Sequence, residues 1–323
     1  MKQRKLRDLS VSAIGFGCMG FSHGYGPSPD RDDAIELMRK AFDLGCTHFD
    51  TAEGYGMGSN EELVGKALAP IRGKVVIATK FILDASEAGP NGKTLHSIRR
   101  HLDASLKQLG TDHVELYYQH RITKSIPVEE IAACMGELIR EGKILGWGQS
   151  QSTEDEIRRA HAVTPLTAVQ SEYSMMERMF ERDVIPACKE LNIGFVPFSP
   201  LASGFLSGKV KADTQFVGDD VRRVITRFAP GNIQANQPLV DLLHRFASDK
   251  GATPAQVSLA WMLHKYDFLV PIPGMRSTER IRENLGAAEV RLTEGEFSRI
   301  EDELSKIAIH GNRTDEDIAK LYD

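Results

Sequence analysis

Short apolar runs alternate with amphipathic stretches along almost the whole chain, and that alternation limits what it can fold into. A short apolar run bounded by turn residues reads as a strand buried on both faces; apolar residues recurring every three or four positions read as a helix with one buried side. Runs of the first kind fall at residues 11–17, 47–51, 75–80, 113–119, 144–148, 166–170, 194–198 and 268–273. Between them lie helix-like stretches, among them 30–44, 60–68, 94–109 and 128–141, and Gly45, Gly110 and Gly142 stand where a left-handed C-cap is needed. Eight strand–helix repeats with short connections predict an α/β fold, a parallel eight-stranded (β/α)8 TIM barrel. Extra C-terminal helices are expected at 254–265, 277–288 and 294–307, ahead of a polar tail. Barrels use this much sequence for one core, so residues 1–323 are expected to form a single domain.

An open doubly wound sheet is the competing architecture, and Gly15, Gly17 and Gly20 have the spacing of its dinucleotide loop. In that fold the glycines open a helix; here a Gly- and Pro-rich loop, 21–29, follows instead. Residues 58–66 also fail as a phosphate loop, because the glycines are seven apart and Ala67 stands where Ser or Thr is required. One long segment, about 202–236, shows no clear element and follows the seventh strand, which places it as a loop over the face where a barrel builds its active site.

Composition narrows the function. The chain is 41% hydrophobic and 26% charged, with a net charge of −5 and interspersed signs, which gives no electrostatic case for nucleic acid or a membrane surface. No apolar stretch approaches the roughly 20 residues that span a bilayer. Cys18, Cys46, Cys134 and Cys188 lie far apart with no C-x-x-C pair, so neither a metal site nor a disulfide framework is expected, and a reducing cytoplasm fits. Basic residues precede the apolar stretch at 9–21, but Asp8 and the glycines interrupt it and no A-x-A-like site follows, so it does not read as an export signal.

Four titratable side chains of four types fall at or just after successive strand ends: Asp50, Tyr55, Lys80 and His120. A phenol is a poor acid at neutral pH, and a neighbouring cation stabilises its phenolate; Lys80 can be that cation. Lysine in a barrel mouth loses its charge to desolvation unless a carboxylate supports it, and Asp50 is the nearest in strand order. His120 can donate a hydrogen bond to the same substrate oxygen. A proton donor beside a polarising donor suits reduction of a carbonyl. The bland alternative is a structural Asp50–Lys80 ion pair with a satisfied strand-end histidine.

Phe49-Asp50-Thr51-Ala52-x-x-Tyr55-Gly56 with Lys80 and His120 resembles the tetrad of the aldo-keto reductases, and the resemblance runs on through Leu109-Gly110-Thr111-Asp112, Glu172-Tyr173-Ser174, Phe198-Ser199-Pro200-Leu201 and Ile272-Pro273-Gly274. It implies Tyr55 as general acid/base, Lys80 and Asp50 tuning it, His120 orienting the carbonyl, and NADPH/NADP+ as cofactor without a dinucleotide-binding domain. It also implies that Ser150 and Gln170 hold the nicotinamide carboxamide, that Phe198 stacks on the ring, and that Ser199 and Leu201 belong to the same cofactor wall. Gln151, where the family has Asn or Glu, implies a less direct contact. The cofactor's other end is expected at Gly274, Arg276, Ser277 and Arg280, where a helix N-terminus and two arginines suit the 2′-phosphate, with Glu283 and Asn284 toward the adenine. Gln119-His120-Arg121 is similar to the branch with potassium-channel β-subunits and bacterial aryl-aldehyde and pyridoxal reductases. The expected partner is a small-molecule carbonyl substrate, walled by apolar members of 21–25, 81–89 and 216–228. An NADPH-binding sensor with little turnover, like the channel β-subunits, is the second function; a barrel hydrolase or isomerase without nicotinamide is the third. No heptad or exposed apolar stripe indicates an oligomer.

Overall fold

The computed structural model describes residues 1–313, so the end of the polar tail lies outside the described residues. The chain opens on a hairpin, β1 (Gln3–Leu6) and β2 (Leu9–Ser12), joined by a two-residue turn with Arg7 at φ 51°. Seven parallel strands follow in sequential order: β3 (Phe16–Gly17), β4 (His48–Asp50), β5 (Val76–Phe81), β6 (Leu116–Gln119), β7 (Trp147–Ser150), β8 (Ala168–Glu172) and β9 (Gly194–Phe198). The helices between them are α1 (Arg31–Asp43), α2 (Ser59–Leu68), α3 (Lys93–Leu109), α4 (Val128–Arg140), α5 (Glu154–Val163) and α6 (Val184–Glu190), and five more follow β9: α7 (Pro230–Ala235), α8 (Gln237–Lys250), α9 (Pro254–Lys265), α10 (Thr278–Gly286) and α11 (Glu294–Ser305).

The eighth position is taken by residues 268–274, and here the sequence expectation needs correction. Val270 and Ile272 donate to the carbonyls of Phe195 and Pro197 at 2.9 and 3.0 Å, while the carbonyls of Pro271 and Pro273 accept from Gly15 and Gly17 at 2.9 and 3.1 Å. Pro271 and Pro273 have no N–H to return to β3, so that side carries half a ladder. The segment therefore makes isolated parallel bridges, Phe195 with Leu269 and Gly17 with Gly274, and the seven-stranded sheet is a nearly closed barrel.

The expected strand at 11–17 is also two things. Val11 and Ser12 pair backwards with Arg4 and Gln3, and only Phe16 and Gly17 join the barrel. The expected strand at 144–148 begins three residues later, Ile144 contributing one bridge to Val114, and that at 166–170 is displaced to Ala168–Glu172. Within the segment 202–236 the structure places short 3₁₀ turns at Ala202–Ser207, Val221–Arg223 and Thr226–Phe228 and the helix α7, and α8 begins immediately after it.

Two apolar layers result. The larger lies between strands and helices, where α3 buries Ile98, Leu102, Leu106 and Leu109 and α4 buries Val128, Ile131, Met135 and Leu138, each at helical spacing. The smaller fills the barrel: Ala78, Leu116, Tyr118, Ala168, Val196, Val270 and Ile272, closed by Leu6 and Val11 of the hairpin. Tyr118 fits only because residue 148 is glycine; a Cβ there would stand 2.5 Å from the Tyr118 ring and 2.4 Å from the Ala168 carbonyl. Leu6 packs beside Gly194, at the start of β9, and is fully buried. Leu6→Ala is expected to cost about 2–5 kcal/mol in urea unfolding, since it opens a cavity at the N-terminal end of the barrel.

Candidate active site

The C-terminal ends of β4, β5 and β6 bring three of the four candidate residues to one rim, and the turn after β4 brings the fourth. Lys80, near the end of β5, is wholly buried. Its ammonium donates to Asp50 Oδ1, to the Thr51 carbonyl at 2.7 Å and to the Tyr55 hydroxyl at 3.4 Å. Asp50 uses its second oxygen to accept from Gln170 Nε2 at 2.8 Å. The His120 ring stands edge-on to Tyr55 at 5.8 Å between centroids, and His23, from the 21–29 loop, flanks the phenol at 5.3 Å. His23 was legible only as part of a loop wall.

Electrostatics divide these groups by protonation state. Burial lowers the Lys80 pKa, but Asp50 and Tyr55 together outweigh it and the net shift is upward, so the ammonium stays charged. Burial raises the Tyr55 pKa and Lys80 pulls it down without cancelling the rise. The expectation that Lys80 acidifies the phenol thus holds as a contribution, not as the net result, and the phenol remains protonated. Burial, with Lys80 and Arg121 adding to it, holds His120 well below the ordinary imidazole range, so its ring is neutral.

The remaining candidates lie in two groups. Ser150 is buried at the end of β7, its Oγ accepting from Arg121 at 3.4 Å. Gln151, in a left-handed conformation at φ 58°, accepts from the Glu172 N–H at 3.1 Å. After Phe198, residues Ser199, Ala202 and Ser203 all have positive φ, 47°, 48° and 54°, a run of strain that non-glycine residues adopt only where the surroundings impose it. Leu201 accepts from Gly204 and Leu206 within this turn. One face of the Phe198 ring carries the Arg313 guanidinium at 4.8 Å, and Arg313 and the buried Arg227 both pair with Glu172. Neither arginine was singled out in the sequence, because each lies far from the strand ends it serves.

At the other group, Ser277 caps α10 by accepting from the Arg280 N–H at 3.2 Å, and Arg280 pairs with Glu283 at 3.1 Å, so Glu283 faces that arginine. Arg276 is held by the carbonyls of Tyr25, at 2.7 Å, and Pro27. Asn284 donates to the Gly274 carbonyl at 3.5 Å. The segment after β9 reaches the same place: Asp219 accepts from the Gly24 N–H at 2.8 Å, Val221 donates to the Gly24 carbonyl at 3.0 Å, and Arg222 lies over the Tyr25 ring. Two buried amide atoms, Gln151 Nε2 in the first group and Asn284 Oδ1 in the second, have no protein partner among the described residues. Buried polar atoms are rarely left so, and a ligand with a carboxamide at one end and a heteroaromatic base at the other fits both.

The description "Aldo/keto reductase family" matches residues 13–304. A probable aldo-keto reductase 1 from Glycine max is 40% identical over 296 residues, covering 90% of this chain and 85% of its own. Among solved structures, the glycerol dehydrogenase AKR11B4 from Gluconobacter oxydans shares the fold, with a TM-score of 0.84 at 24% identity over 95% of this chain and 96% of that one. An aldo-keto reductase from Klebsiella pneumoniae in complex with NADPH superposes with a TM-score of 0.74 at 26% identity, covering 98% and 99%. The chain belongs to the aldo/keto reductase family.

One layer below Asp50, His48 is fully buried with both ring nitrogens unpartnered among the described residues, and burial pushes its pKa down to about 4. The unfolded chain takes up this proton near pH 6.5 and the folded chain only near 4, so stability is lost as pH falls between the two. The loss from this group is expected to be on the order of 3 kcal/mol. Chemical denaturation of the wild type and His48→Phe from pH 7 to 4 checks it: the variant should lose that part of the acid slope.

Proposed function

We propose that this NADP(H)-dependent oxidoreductase reduces aldehydes and ketones to alcohols, with Tyr55 as the general acid. One observation carries the reading: a single buried ammonium, Lys80, contacts both the Asp50 carboxylate and the Tyr55 hydroxyl. In this reading Ser150, Gln151 and Gln170 hold the nicotinamide end, with Phe198, Ser199 and Leu201 forming its wall. Arg276, Ser277 and Arg280 then meet the 2′-phosphate, with Gly274, Glu283 and Asn284 around the adenine. When bound, the cofactor supplies the hydride that reaches the carbonyl carbon.

The chain's own residues manage the proton and the developing charge. The carbonyl oxygen lies between the Tyr55 hydroxyl and the neutral His120 ring, whose N–H polarises the C=O bond. Tyr55 gives its proton to that oxygen as it gains negative charge, and the resulting phenolate is stabilised by Lys80. Asp50 keeps Lys80 charged, and Gln170 holds the carboxylate in place through its second oxygen. The phenolate recovers its proton from solvent. The 202–236 segment, through Asp219, Val221 and Arg222, forms a cover over the cofactor groove. The four cysteines are free and buried, which suits a reducing cytoplasm.

The test is NADPH oxidation followed by absorbance with a panel of aromatic and dicarbonyl aldehydes. Tyr55→Phe is expected to lower kcat by about 10²–10⁴-fold, the range of general acid–base catalysis, while NADPH binding measured by fluorescence is retained. Full turnover in Tyr55→Phe would remove the phenol from the mechanism. Tight NADPH binding with no single-turnover oxidation by any aldehyde would favour the sensor function instead.

A further inference from the structure

The turn that carries Tyr55 is rich in glycine. It reads Gly54-Tyr55-Gly56-Met57-Gly58, with positive φ at Gly56, Met57 and Gly58, and the Met57 side chain is 96% exposed. Each glycine adds conformational freedom, so the phenol's position must be imposed from outside the turn. Glu53, two residues before Tyr55, supplies much of that restraint. Its N–H donates to the Lys80 carbonyl at 3.1 Å and its own carbonyl accepts from Gly58 at 3.0 Å, which closes the turn. Its carboxylate reaches outward: Oε1 accepts from the Ile82 N–H at 2.9 Å, and Oε2 lies 2.8 Å from His101 Nδ1.

His101 sits on α3 with its side chain 19% exposed and both nitrogens facing carboxylates. The second nitrogen, Nε2, is 3.3 and 3.4 Å from the two oxygens of Glu87, in the short turn Ala85–Glu87, and Glu87 also pairs with Arg100 of α3. Other groups close to the Glu53 carboxylate are Glu61 of α2 and the Tyr117 phenol of β6. An imidazolium donates through both nitrogens and satisfies both carboxylates; a neutral imidazole donates through one and leaves the other facing a lone pair.

We propose that Glu53 and protonated His101 form a clamp that positions the Tyr55 phenol, so that carbonyl reduction responds to an ionisation removed from the reacting atoms. The clamp rests on the reading of Tyr55 as the proton donor. Glu53 and His101 are positioning residues, since both act through the turn. The hydrogen bond to Glu53 raises the His101 pKa despite burial, and Glu87 adds to the rise. The clamped state is therefore present below the ordinary histidine range and is lost as pH rises through the raised value.

Two measurements test it. The first is the pH dependence of kcat at saturating NADPH for the wild type, His101→Gln and His101→Arg. With the phenol displaced, wild-type kcat is expected to fall about tenfold above the His101 pKa, beyond any decline that His101→Arg shows. His101→Gln should hold a low value on the acid side too, and His101→Arg, a permanent cation, should retain the high value where the wild type has lost it. KM for NADPH should change little in either. The second is an NMR titration of the His101 imidazole in cofactor-free protein, where Glu53→Gln should move the midpoint down toward 6.5. Superimposable kcat profiles for the wild type and His101→Gln, or a midpoint unmoved by Glu53→Gln, overturn the clamp. A wild type that oxidises no NADPH with any aldehyde refutes the Tyr55 reading instead, and the titration still decides whether the Glu53–His101 pair exists.

Discussion

A lysine ammonium removed from water has three N–H donors to satisfy, and Lys80 meets them with the Asp50 carboxylate, the Thr51 carbonyl and the Tyr55 hydroxyl. The desolvation cost of such a charge is several kcal/mol, and it is offset only when the counter-charge and the remaining acceptors are all in place. That requirement fixes the relative positions of β4, β5 and the turn between Asp50 and Tyr55. Parallel pairing of Asp50 with Ala78 sets the carboxylate beside the lysine two residues further along β5, and Gln170 of β8 reaches across the mouth to fix the other carboxylate oxygen. Loss of either partner leaves an uncompensated buried charge, which is strongly destabilising.

The same pair orders the protonation states around it. Burial, reinforced by the charged Lys80, keeps His120 neutral, and burial likewise keeps the proton on Tyr55. The protonation states of both rings are thus set chiefly by exclusion of water, with Lys80 acting on both, rather than by two separate devices. Outside this centre the structure stores strain after β9, where Ser199, Ala202 and Ser203 hold left-handed backbone. The 3₁₀ turns and α7 that follow bring Asp219, Val221 and Arg222 against the loop of Gly24 and Tyr25.

Much of the architecture was legible because strand and helix periods differ and the chain alternates them. The strands ending in Asp50, Lys80 and His120 were read close to their true ends, as was the Ser277 cap of α10. The misreadings have definite causes. The hairpin turns on Arg7-Asp8, which lacks the Asn-Gly or Asp-Gly signature, so residues 11–17 read as one strand. Pro271 and Pro273 leave an apolar run that looks like a strand and cannot complete a ladder. The helix α8 was missed because the long segment before it hid its start. Glu283, expected toward the adenine, also pairs with Arg280, and Arg276, expected in a cationic clamp with Arg280, also meets the carbonyls of Tyr25 and Pro27, contacts that sequence spacing does not express.

The sequence by itself determined the alternating elements, the candidate site residues and their order along the chain, because period and spacing are local properties. Only the tertiary structure decided which of those groups share a proton or a charge. Gln170 and Asp50 are 120 residues apart and meet at 2.8 Å. Glu53 and His101 are 48 apart and tie the Tyr55 turn to α3. Arg313 meets Glu172 across 141 residues. Such pairings come from packing the turns, helices and tail around a nearly closed barrel, and burial there then fixes the protonation states that sequence spacing cannot express.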